Sequence, residues 1–384
     1  MAAGGAPGRR YDHPVIRATF ELAPSGSAGV LARRLTTGLP ADRPELAAVA
    51  GRVVAEHPAP GYPAPHGDPG QAENPGQAED PGQATGHGDL AVLEFPASNW
   101  GENVPLLVST LVAGEVTEMR AFTHCRLVGL ELPDGLLPGP ALGADPAKIR
   151  TEVGLIVKPQ LGLRPDEFAA VARAGIAAGA DLIKDDEVLG DPPSCRLEDR
   201  VRAMAEILPP GVVYCPNLTG PSATLLERAA RVVELGASGL MVNAFAQGVD
   251  SILALRRADL GVPILAHRAG SGPYARNPHF GASGAVLARL TRLCGADHVI
   301  VGAFAGSLFD DHRSIEENLA AVRDPCGPAR PSVAVLGGGL SPGNAAAQAA
   351  RAGGSGLMVL LGTAAYEHPG GVGEAVAATV AALA

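Results

Sequence analysis

From about residue 150 onward, the chain alternates short apolar runs with longer segments of helical period. The eight apolar runs fall at residues 153–157, 181–183, 212–215, 239–242, 262–266, 299–302, 332–336 and 356–361. Between them, segments such as residues 165–178, 222–235 and 282–293 repeat their apolar residues at the spacing of an amphipathic helix. Eight units in about 235 residues match the usual size of a (β/α)₈ TIM barrel. A doubly wound sheet is the alternative, because its strands look the same locally.

The N-terminal part of the chain follows a less regular pattern. The expected elements are strands at residues 15–22 and 90–95, a helix at residues 44–57, a helix or core strand at residues 104–112, and two strands within residues 117–132. This mixture predicts an α+β domain of the ferredoxin-like kind over residues 1–140, followed by the barrel over residues 141–384.

A repeat of six residues interrupts the N-terminal domain. Its units begin at Asp68, Asn74 and Asp80, and each contains Pro-Gly-Gln-Ala. Proline and glycine in every unit, with almost no apolar side chain larger than alanine, cannot support a packed core. Residues 58–88 are therefore predicted to form a disordered surface loop.

Composition limits the partners and the compartment. A net charge of -10 and a pI near 5.5 argue against nucleic acid or an anionic membrane as a partner, since both attract basic surfaces. No apolar run is long enough to span a membrane, and the first ten residues lead into no signal-peptide core. The five cysteines are widely spaced and form no CxxC pair, so we expect a soluble protein of the reducing cytoplasm.

Active sites of (β/α)₈ barrels lie at the carboxyl ends of the strands, so the residues after each apolar run form one ring. In strand order the ring contains Lys158 and Gln160, Lys184 to Glu187, Asn217, Asn243, His267 with Arg268, Gly306 with Ser307, Gly337 to Gly339, and Gly362 with Thr363. The chain has only three lysines, and two of them, Lys158 and Lys184, are in this ring. Because arginine cannot supply a neutral amine, these two lysines are candidates for chemistry.

The run Lys184-Asp185-Asp186-Glu187 is the most specific part of the ring. Side chains alternate along a strand, so Lys184 and Asp186 should share the inward face, and Glu187 can join them as the chain turns out of the sheet. An ammonium repels a metal ion, but a lysine carrying CO₂ as a carbamate would complete an oxygen ligand set for Mg²⁺. The alternative is an ion pair that caps the end of the strand.

Glycines after strands seven and eight predict a phosphate site, because barrels commonly bind phosphate there. The predicted contacts are Gly338, Gly339, Gly362 and Thr363, with Arg268 on the other side of the ring. A tight turn at the glycines is the alternative. His267 is a candidate acid or base, and the alternative for it is a hydrogen-bonded core histidine.

Several motifs together resemble one known family. They are Gly154-Leu-Ile-Val-Lys-Pro-Gln160, Asp181-Leu-Ile-Lys-Asp-Asp-Glu187 with its lysine 26 residues after Lys158, Asp199-Arg200, Ile264-Leu-Ala-His-Arg-Ala269, Gly295-Ala-Asp-His298, Gly337-Gly-Gly339 and His368-Pro-Gly370. This pattern resembles the large subunit of ribulose-1,5-bisphosphate carboxylase/oxygenase (RuBisCO) and its RuBisCO-like relatives, over most of residues 90–384.

The resemblance implies a Mg²⁺-dependent enzyme whose second-strand lysine is carbamylated. Carried over, the metal ligands are Lys184 as its carbamate, Asp186 and Glu187, while Asp185 is not a ligand. The remaining implied roles are proton handling by Lys158 and His267, phosphate binding by Arg268 and the glycine loops, and a site asparagine at Asn217. The resemblance also implies a homodimer whose active sites are shared, with Glu56 as a candidate contribution from the partner.

Departures from the family pattern bear on the reaction. Carboxylases carry Lys-Pro-Lys after strand one, where this chain has Gln160, and a lysine on the loop after strand six, where it has Ser307. Without the loop lysine, the cation that would hold a newly formed carboxylate is missing. We therefore expect no CO₂ fixation. The methionine-salvage enolase of the family uses an N-terminal lysine, and this chain has no lysine before Lys148, which disfavours that role.

The leading hypothesis is a RuBisCO-like isomerase, tautomerase or epimerase that enolises a phosphorylated keto-sugar or related metabolite. Lys158 or His267 would be the base, and the sequence does not choose between them. A second hypothesis is a decarboxylase or transcarboxylase-hydrolase of a 3-oxo acid phosphate, because losing CO₂ gives the same kind of enolate. The third is a non-catalytic sugar-phosphate binding protein.

Overall fold

A computed structural model describes residues 13–58, 88–141, 150–304, 306 and 308–384. It divides into two compact units. The first comprises the described residues up to Leu136 together with Tyr274–Ser283, and the second comprises Leu137–Pro273 and Gly284–Ala384. The segment Tyr274–Ser283 lies inside the range that the sequence assigned to the barrel. The repeat-bearing insert predicted at residues 58–88 lies outside the described residues, apart from its first and last residue.

Strands are numbered β1 to β13 along the chain. They are β1 Val15–Ala23, β2 Arg52–Pro58, β3 Asp89–Pro96, β4 His124–Glu131, β5 Glu152–Ile156, β6 Leu182–Lys184, β7 Val213–Cys215, β8 Leu240–Asn243, β9 Ile264–His267, β10 Phe280–Ala282, β11 His298–Gly302, β12 Val333–Leu336 and β13 Leu357–Leu361.

Helices are numbered α1 to α13 in the same way. They are α1 Ala28–Arg34, α2 Val104–Leu111, α3 Pro165–Ala177, α4 Leu197–Ala205, α5 Leu225–Glu234, α6 Ala244–Gln247, α7 Asp250–Ala258, α8 Gly272–Ala275, α9 Gly284–Leu293, α10 His312–Arg323, α11 Ala345–Arg351, α12 Thr363–Tyr366 and α13 Gly371–Leu383. No helix among the described residues combines the length and apolar character needed to cross a bilayer.

The first unit is built on a five-stranded sheet in the order β10-β4-β1-β3-β2. Its chain order β1-α1-β2-β3-α2-β4 and the antiparallel pairing of β1 with both β3 and β4 match the ferredoxin-like motif, which confirms that prediction. The short strand β10 joins the edge of the sheet by pairing in parallel with β4. The alternating burial of β1 places Ile16, Ala18 and Phe20 in the core.

Two predictions for the first unit were wrong. Residues 44–57 were expected to be one helix, but Pro44–Leu46 form only a short 3-10 turn and Arg52–Pro58 form β2. The valines at 53 and 54 favour an extended strand, and β2 gains the backbone hydrogen bonds of β3. Residues 117–132 contain one strand, β4, rather than two, because the chain turns before His124.

The second unit is an eight-stranded parallel sheet in the order β7-β6-β5-β13-β12-β11-β9-β8. A bridge between Asn217 and Met241, with hydrogen bonds from Leu218 N to Met241 O and from Met241 N to Pro216 O, joins its two edges. The sheet is therefore a barrel, so the prediction of a (β/α)₈ fold is confirmed and the doubly wound sheet is excluded. Every apolar run predicted as a barrel strand overlaps an observed strand.

Inward-facing apolar side chains fill the barrel. The buried cluster consists of Leu182, Cys215, Met241, Leu265, Ile300, Val333, Val335, Met358 and Leu360, with Ile156 and Val213 packed against it. Because side chains on a strand alternate, the residue two positions after a cluster member faces the same interior one layer closer to the carboxyl ends. This packed layer forms the floor beneath the predicted site.

Candidate functional site

The layer above the apolar floor has a polar half and a glycine half. On five neighbouring strands, the residue two positions after the floor residue is polar. These residues are Lys158 after β5, Lys184 on β6, Asn217 after β7, Asn243 on β8 and His267 on β9. At the equivalent positions after β12 and β13 stand Gly337 and Gly362. A Cβ added to either glycine would meet only ordinary contacts of 3.5 to 3.9 Å, so packing does not require them. They leave space beside the polar half.

Asp185 faces away from the interior, into a buried polar cluster. Its carboxylate accepts hydrogen bonds from Arg200 Nη2 at 2.8 Å, from the Tyr214 hydroxyl at 2.8 Å and from Asn217 N at 2.9 Å. Asp185 and Arg200 are both 0% exposed. Burial, reinforced by Asp185, raises the pKa of Tyr214 well above its usual value and keeps the phenol protonated as a donor. Asp185 is thereby occupied in holding β6, β7 and α4 together.

Lys184 is the fully buried member of the polar half, at 0% exposed. Its Nζ donates to Asp185 O at 2.6 Å and lies 3.9 Å from Glu187 Oε2. Burial lowers the pKa of this amine below the ordinary lysine value, and the neighbouring carboxylates only partly oppose the shift. The site therefore favours a neutral amine more than a surface lysine does.

Asp186 and Lys158 form an ion pair between neighbouring strands. Lys158 Nζ lies 2.6 Å from Asp186 Oδ2 and donates to Gln160 Oε1 at 3.1 Å. The other oxygen of Asp186 accepts from Val188 N at 3.0 Å. Asp186 is 1% exposed and both of its oxygens accept hydrogen bonds, so this carboxylate is held in one position within the ring.

Glu187 reaches across the ring to His267. Its Oε2 lies 3.5 Å from His267 Nε2, and its backbone carbonyl accepts from Asn217 Nδ2 at 3.0 Å and Asn243 Nδ2 at 2.8 Å. His267 Nδ1 accepts from Ala269 N at 3.1 Å, which assigns the proton of the neutral ring to Nε2. Burial, together with the charge of Lys184, lowers the pKa of His267 to about 3. The imidazole is consequently neutral at physiological pH.

Arg268, predicted to bind phosphate, is engaged by a carboxylate that the sequence reasoning missed. Its Nη1 lies 2.8 Å from Asp310 Oδ2 and its Nη2 lies 3.1 Å from Asp310 Oδ1. Arg268 also lies over the ring of Phe309 at 5.3 Å. No pattern in the sequence pairs Asp310 with Arg268, because 42 residues separate them and the pairing depends on the packing of β9 beside β11.

Two residues of the predicted glycine loops adopt a backbone conformation that glycine favours. Gly338 and Gly339 adopt φ of 97° and 92°, in the region that favours glycine, and Gly339 O accepts from Asn344 Nδ2 at 3.0 Å. Gly362 precedes the single turn of α12, and Thr363 at its start is exposed. Phosphate binding at these residues remains a prediction.

Tyr366 is a further residue near the ring that the sequence reasoning missed. Its hydroxyl donates to Ile156 O at 2.8 Å and accepts from Lys158 N at 2.8 Å. The backbone pairing of β13 with β5 ends at Leu361 and Leu155, so the phenol supplies the next link between the two chain segments. Tyr366 thus ties the turn after strand eight to the backbone of Lys158.

Ser307 and Glu56 are the two remaining predicted site residues. Ser307 lies outside the described residues. Glu56 is on β2 of the first unit, where its Oε1 accepts from Ala28 N at 3.3 Å at the start of α1. Their roles remain predictions.

The predicted metal ligands are Lys184, Asp186 and Glu187. Within the described ranges, no group of three or more His, Cys, Asp or Glu side chains could hold a metal ion. Asp186 and Glu187 supply two carboxylates, and a carbamate on the buried Lys184 would supply the oxygen donor that is missing. The donor set therefore fits Mg²⁺ only if Lys184 is carbamylated.

Comparison with known proteins agrees with these motifs. Residues 146–384 match the family model "Ribulose bisphosphate carboxylase large chain, catalytic domain". The chain belongs to the RuBisCO large-chain family.

Relatives of this RuBisCO-family chain include proteins with different names. It is 32% identical over 298 residues to the 3-oxo-isoapionate-4-phosphate transcarboxylase/hydrolase of Xanthobacter autotrophicus, covering 73% of this chain and 72% of the relative. It is 30% identical over 259 residues to a ribulose bisphosphate carboxylase-like protein of Allochromatium vinosum, covering 63% of this chain and 56% of that protein's length. Among solved structures, a rubisco-like protein from Alicyclobacillus acidocaldarius is 30% identical with a TM-score of 0.78, covering 96% of this chain and 93% of the other.

The two adjacent carboxylates should respond differently to removal of their charge. Asp185→Asn leaves the buried Arg200 without its counter-ion, so we expect a loss of about 3 to 5 kcal/mol in the free energy of unfolding. Asp186→Asn, whose partner Lys158 has a partly exposed side chain and can be hydrated, should cost about 1 kcal/mol or less. Urea unfolding followed by circular dichroism measures both. Equal losses would contradict the separation of a structural carboxylate from a site carboxylate.

Lys184 should lower stability near neutral pH in buffer free of metal and CO₂. Its folded pKa lies below 10.5, the ordinary lysine value that applies to the unfolded chain. Between the folded pKa and 10.5, the unfolded chain therefore binds a proton that the native chain does not. Stability of the wild type should then rise with pH towards 10.5, and Lys184→Met should be the more stable protein at pH 7, with the difference shrinking at pH 10. Thermal unfolding at both pH values measures this. A constant difference would show that the buried amine keeps an ordinary pKa.

Proposed function

We propose that this chain is a RuBisCO-like, Mg²⁺-dependent enzyme that enolises a phosphorylated keto-sugar or related metabolite without fixing CO₂. The product would be that of a tautomerase, isomerase or epimerase. The observation that carries the proposal is the fully buried amine of Lys184, with its lowered pKa, beside Asp186 and Glu187 at the end of β6.

A neutral buried amine is the form of lysine that reacts with CO₂. The lone pair of Lys184 Nζ would form a bond to the carbon of CO₂ while one C–O π bond opens to an oxyanion. A base of the bicarbonate buffer would take one proton from the nitrogen, and the product would be a carbamate anion. The carbamate, Asp186 and Glu187 are the residues that would hold the metal. When bound, Mg²⁺ supplies a Lewis acid and a template for the substrate oxygens.

Lys158 is the residue that we assign to proton transfer. Its Nζ stands at the inward position of the first barrel strand, 2.6 Å from Asp186 Oδ2. His267 is not assigned this step, because its Nδ1 lone pair is engaged by Ala269 N and its Nε2 carries the proton of the neutral ring. Its Nε2 proton instead suits a hydrogen bond to a substrate oxygen on which negative charge develops.

The glycine half of the ring is proposed to hold the phosphate. Gly338, Gly339, Gly362 and Thr363 follow strands seven and eight, beside the space that Gly337 and Gly362 leave. Gln160, which accepts a hydrogen bond from Lys158, brings no second cation to the first strand, in keeping with an enolate that is not carboxylated.

The assembly and compartment belong to the same proposal. A homodimer with shared active sites, to which Glu56 contributes, follows from the family resemblance. All five cysteines are free, which is in keeping with a cytoplasmic location.

A second candidate function is cleavage of a 3-oxo acid phosphate by decarboxylation or by transcarboxylation and hydrolysis. It is favoured by the 32% identity, over 298 residues, to the Xanthobacter transcarboxylase/hydrolase. The same polar half would stabilise the enolate left behind when a carboxyl group departs.

The enolisation proposal predicts metal-dependent exchange of a substrate proton with solvent. With Mg²⁺ and bicarbonate in D₂O, the wild type should introduce deuterium next to the carbonyl of a phosphorylated ketose, as followed by NMR. Lys158→Met should slow exchange by about 100-fold or more, as expected for loss of a general acid-base group. Lys184→Met should remove the dependence on bicarbonate together with the activity.

Arg173→Met on α3 is the matched control, because it removes one exposed cation outside the ring. This variant should exchange the substrate proton at the wild-type rate. No exchange into any ketose phosphate of a broad panel would count against enolisation. Unchanged ligand affinity in Lys184→Met, with no turnover by the wild type, would favour the non-catalytic alternative.

The second candidate predicts a different product. Wild-type protein with Mg²⁺ and bicarbonate should release CO₂ or a transferred carboxyl group from a phosphorylated 3-oxo acid, measured with a ¹³C-labelled carboxylate. Recovery of all the label in the starting acid, while ketose phosphates exchange deuterium, would exclude this function and leave the first.

A further inference from the structure

Arg268 stands one residue after His267 at the end of β9, where its guanidinium is already paired with a carboxylate. Two of its nitrogens, Nη1 and Nη2, bind the two oxygens of Asp310 at 2.8 and 3.1 Å. This fork is the arrangement by which arginine would otherwise bind a phosphate or a carboxylate of a ligand. Asp310 thus occupies the face of Arg268 that an anionic ligand needs.

The pair is enclosed by its surroundings. The side chains of Arg268 and Asp310 are 15% and 3% exposed, and the ring of Phe309 lies 5.3 Å from the guanidinium carbon. Gly302 provides the room, because a Cβ there would lie 3.1 Å from Arg268 Nη1 and 3.4 Å from Asp310 Oδ2. The two side chains are therefore held together by packing as well as by charge.

An ion pair in this position changes what the site can bind. Together the two groups have no net charge. An anion that approached Arg268 would come close to the carboxylate of Asp310 and be repelled by its negative charge. Moving Asp310 aside would leave a nearly buried carboxylate without its partner, which is costly. A hydroxyl group meets neither obstacle and can hydrogen-bond to the remaining lone pairs of the carboxylate.

We propose that Asp310 is a specificity-determining residue that closes Arg268 to anions and restricts the site to substrates with a single phosphate. This inference rests on the proposed function, which puts that phosphate at the glycine half. The uncharged, hydroxyl-bearing end of the substrate lies against the Arg268–Asp310 pair. A sugar bisphosphate would have to bring its second phosphate to the closed arginine.

The test compares two probes, ribulose 5-phosphate and ribulose 1,5-bisphosphate, by calorimetry on the full chain with Mg²⁺ and bicarbonate. We expect the wild type to bind the bisphosphate no more tightly than the monophosphate, a comparison that needs no substitution. Asp310→Asn should raise the ratio of bisphosphate to monophosphate affinity at least tenfold, because Arg268 loses its charged partner.

Two further variants make the result specific. Asp311→Asn removes the same charge from the next residue, whose side chain instead accepts from Ser314 N at the start of α10, and should leave the ratio unchanged. The double variant Arg268→Met/Asp310→Asn should lose the tenfold gain. Thermal unfolding confirms that each protein is folded before titration.

Three results would overturn the inference. A wild type that prefers the bisphosphate tenfold, or an Asp310→Asn variant with an unchanged ratio, would show that Arg268 is open to anions, and the proposed enolisation would stand. Failure of all four proteins to bind either probe would remove the phosphate selectivity that this inference assigns to Asp310, whereas the proposed function would still be decided by deuterium exchange with the panel of ketose phosphates.

Discussion

The buried ion pair of Asp185 and Arg200 is the interaction on which the geometry of the polar half depends. It is completed by the Tyr214 hydroxyl and by the backbone of Asn217, so a single carboxylate links β6 to the strand and helix that follow it. Because side chains alternate along a strand, fixing Asp185 outward fixes Lys184 and Asp186 on the other face. The cost of burying these two charges is offset only while all of their hydrogen bonds are made. Structural rigidity and chemical placement therefore come from neighbouring residues of one short strand.

The division of the ring into polar and glycine halves gives the site a direction. One side offers amines, carboxylates and amides that can hold a metal and move a proton, while the other offers space and backbone. Burial lowers the pKa of both Lys184 and His267, while Lys158 pairs its amine with the carboxylate of Asp186. The positive charge of Arg268 is neutralised by its ion pair with Asp310. The proposed substrate would therefore meet charged groups on one side of the ring and uncharged glycine backbone on the other.

Much of this architecture is predictable from the sequence. Eight apolar runs with helical segments between them predicted the parallel strands, because a parallel strand buried on both faces has a strong local signature. The bridge between Asn217 and Met241 is what distinguishes the closed barrel from a doubly wound sheet. The ring residues followed from the rule that strand ends converge. The helix expected at residues 44–57 failed because the alternative, an edge strand, gains its hydrogen bonds from β3, which lies more than 30 residues away in the chain. Asp310 and Tyr366 escaped notice for the same reason, since each acts on a strand that is distant in sequence.

The hydrogen bonds of the Tyr366 hydroxyl limit the length of the turn after strand eight. The hydroxyl replaces a backbone link between the first and last barrel strands, and it lies three residues beyond Thr363 at the start of α12. An insertion or deletion in that short turn would change the reach of the phenol and release the backbone of Lys158. The turn is thus constrained in length even though its residues 363 and 364 are not buried. In this chain, the length of the loop after strand eight therefore affects the backbone at the end of the first barrel strand as well.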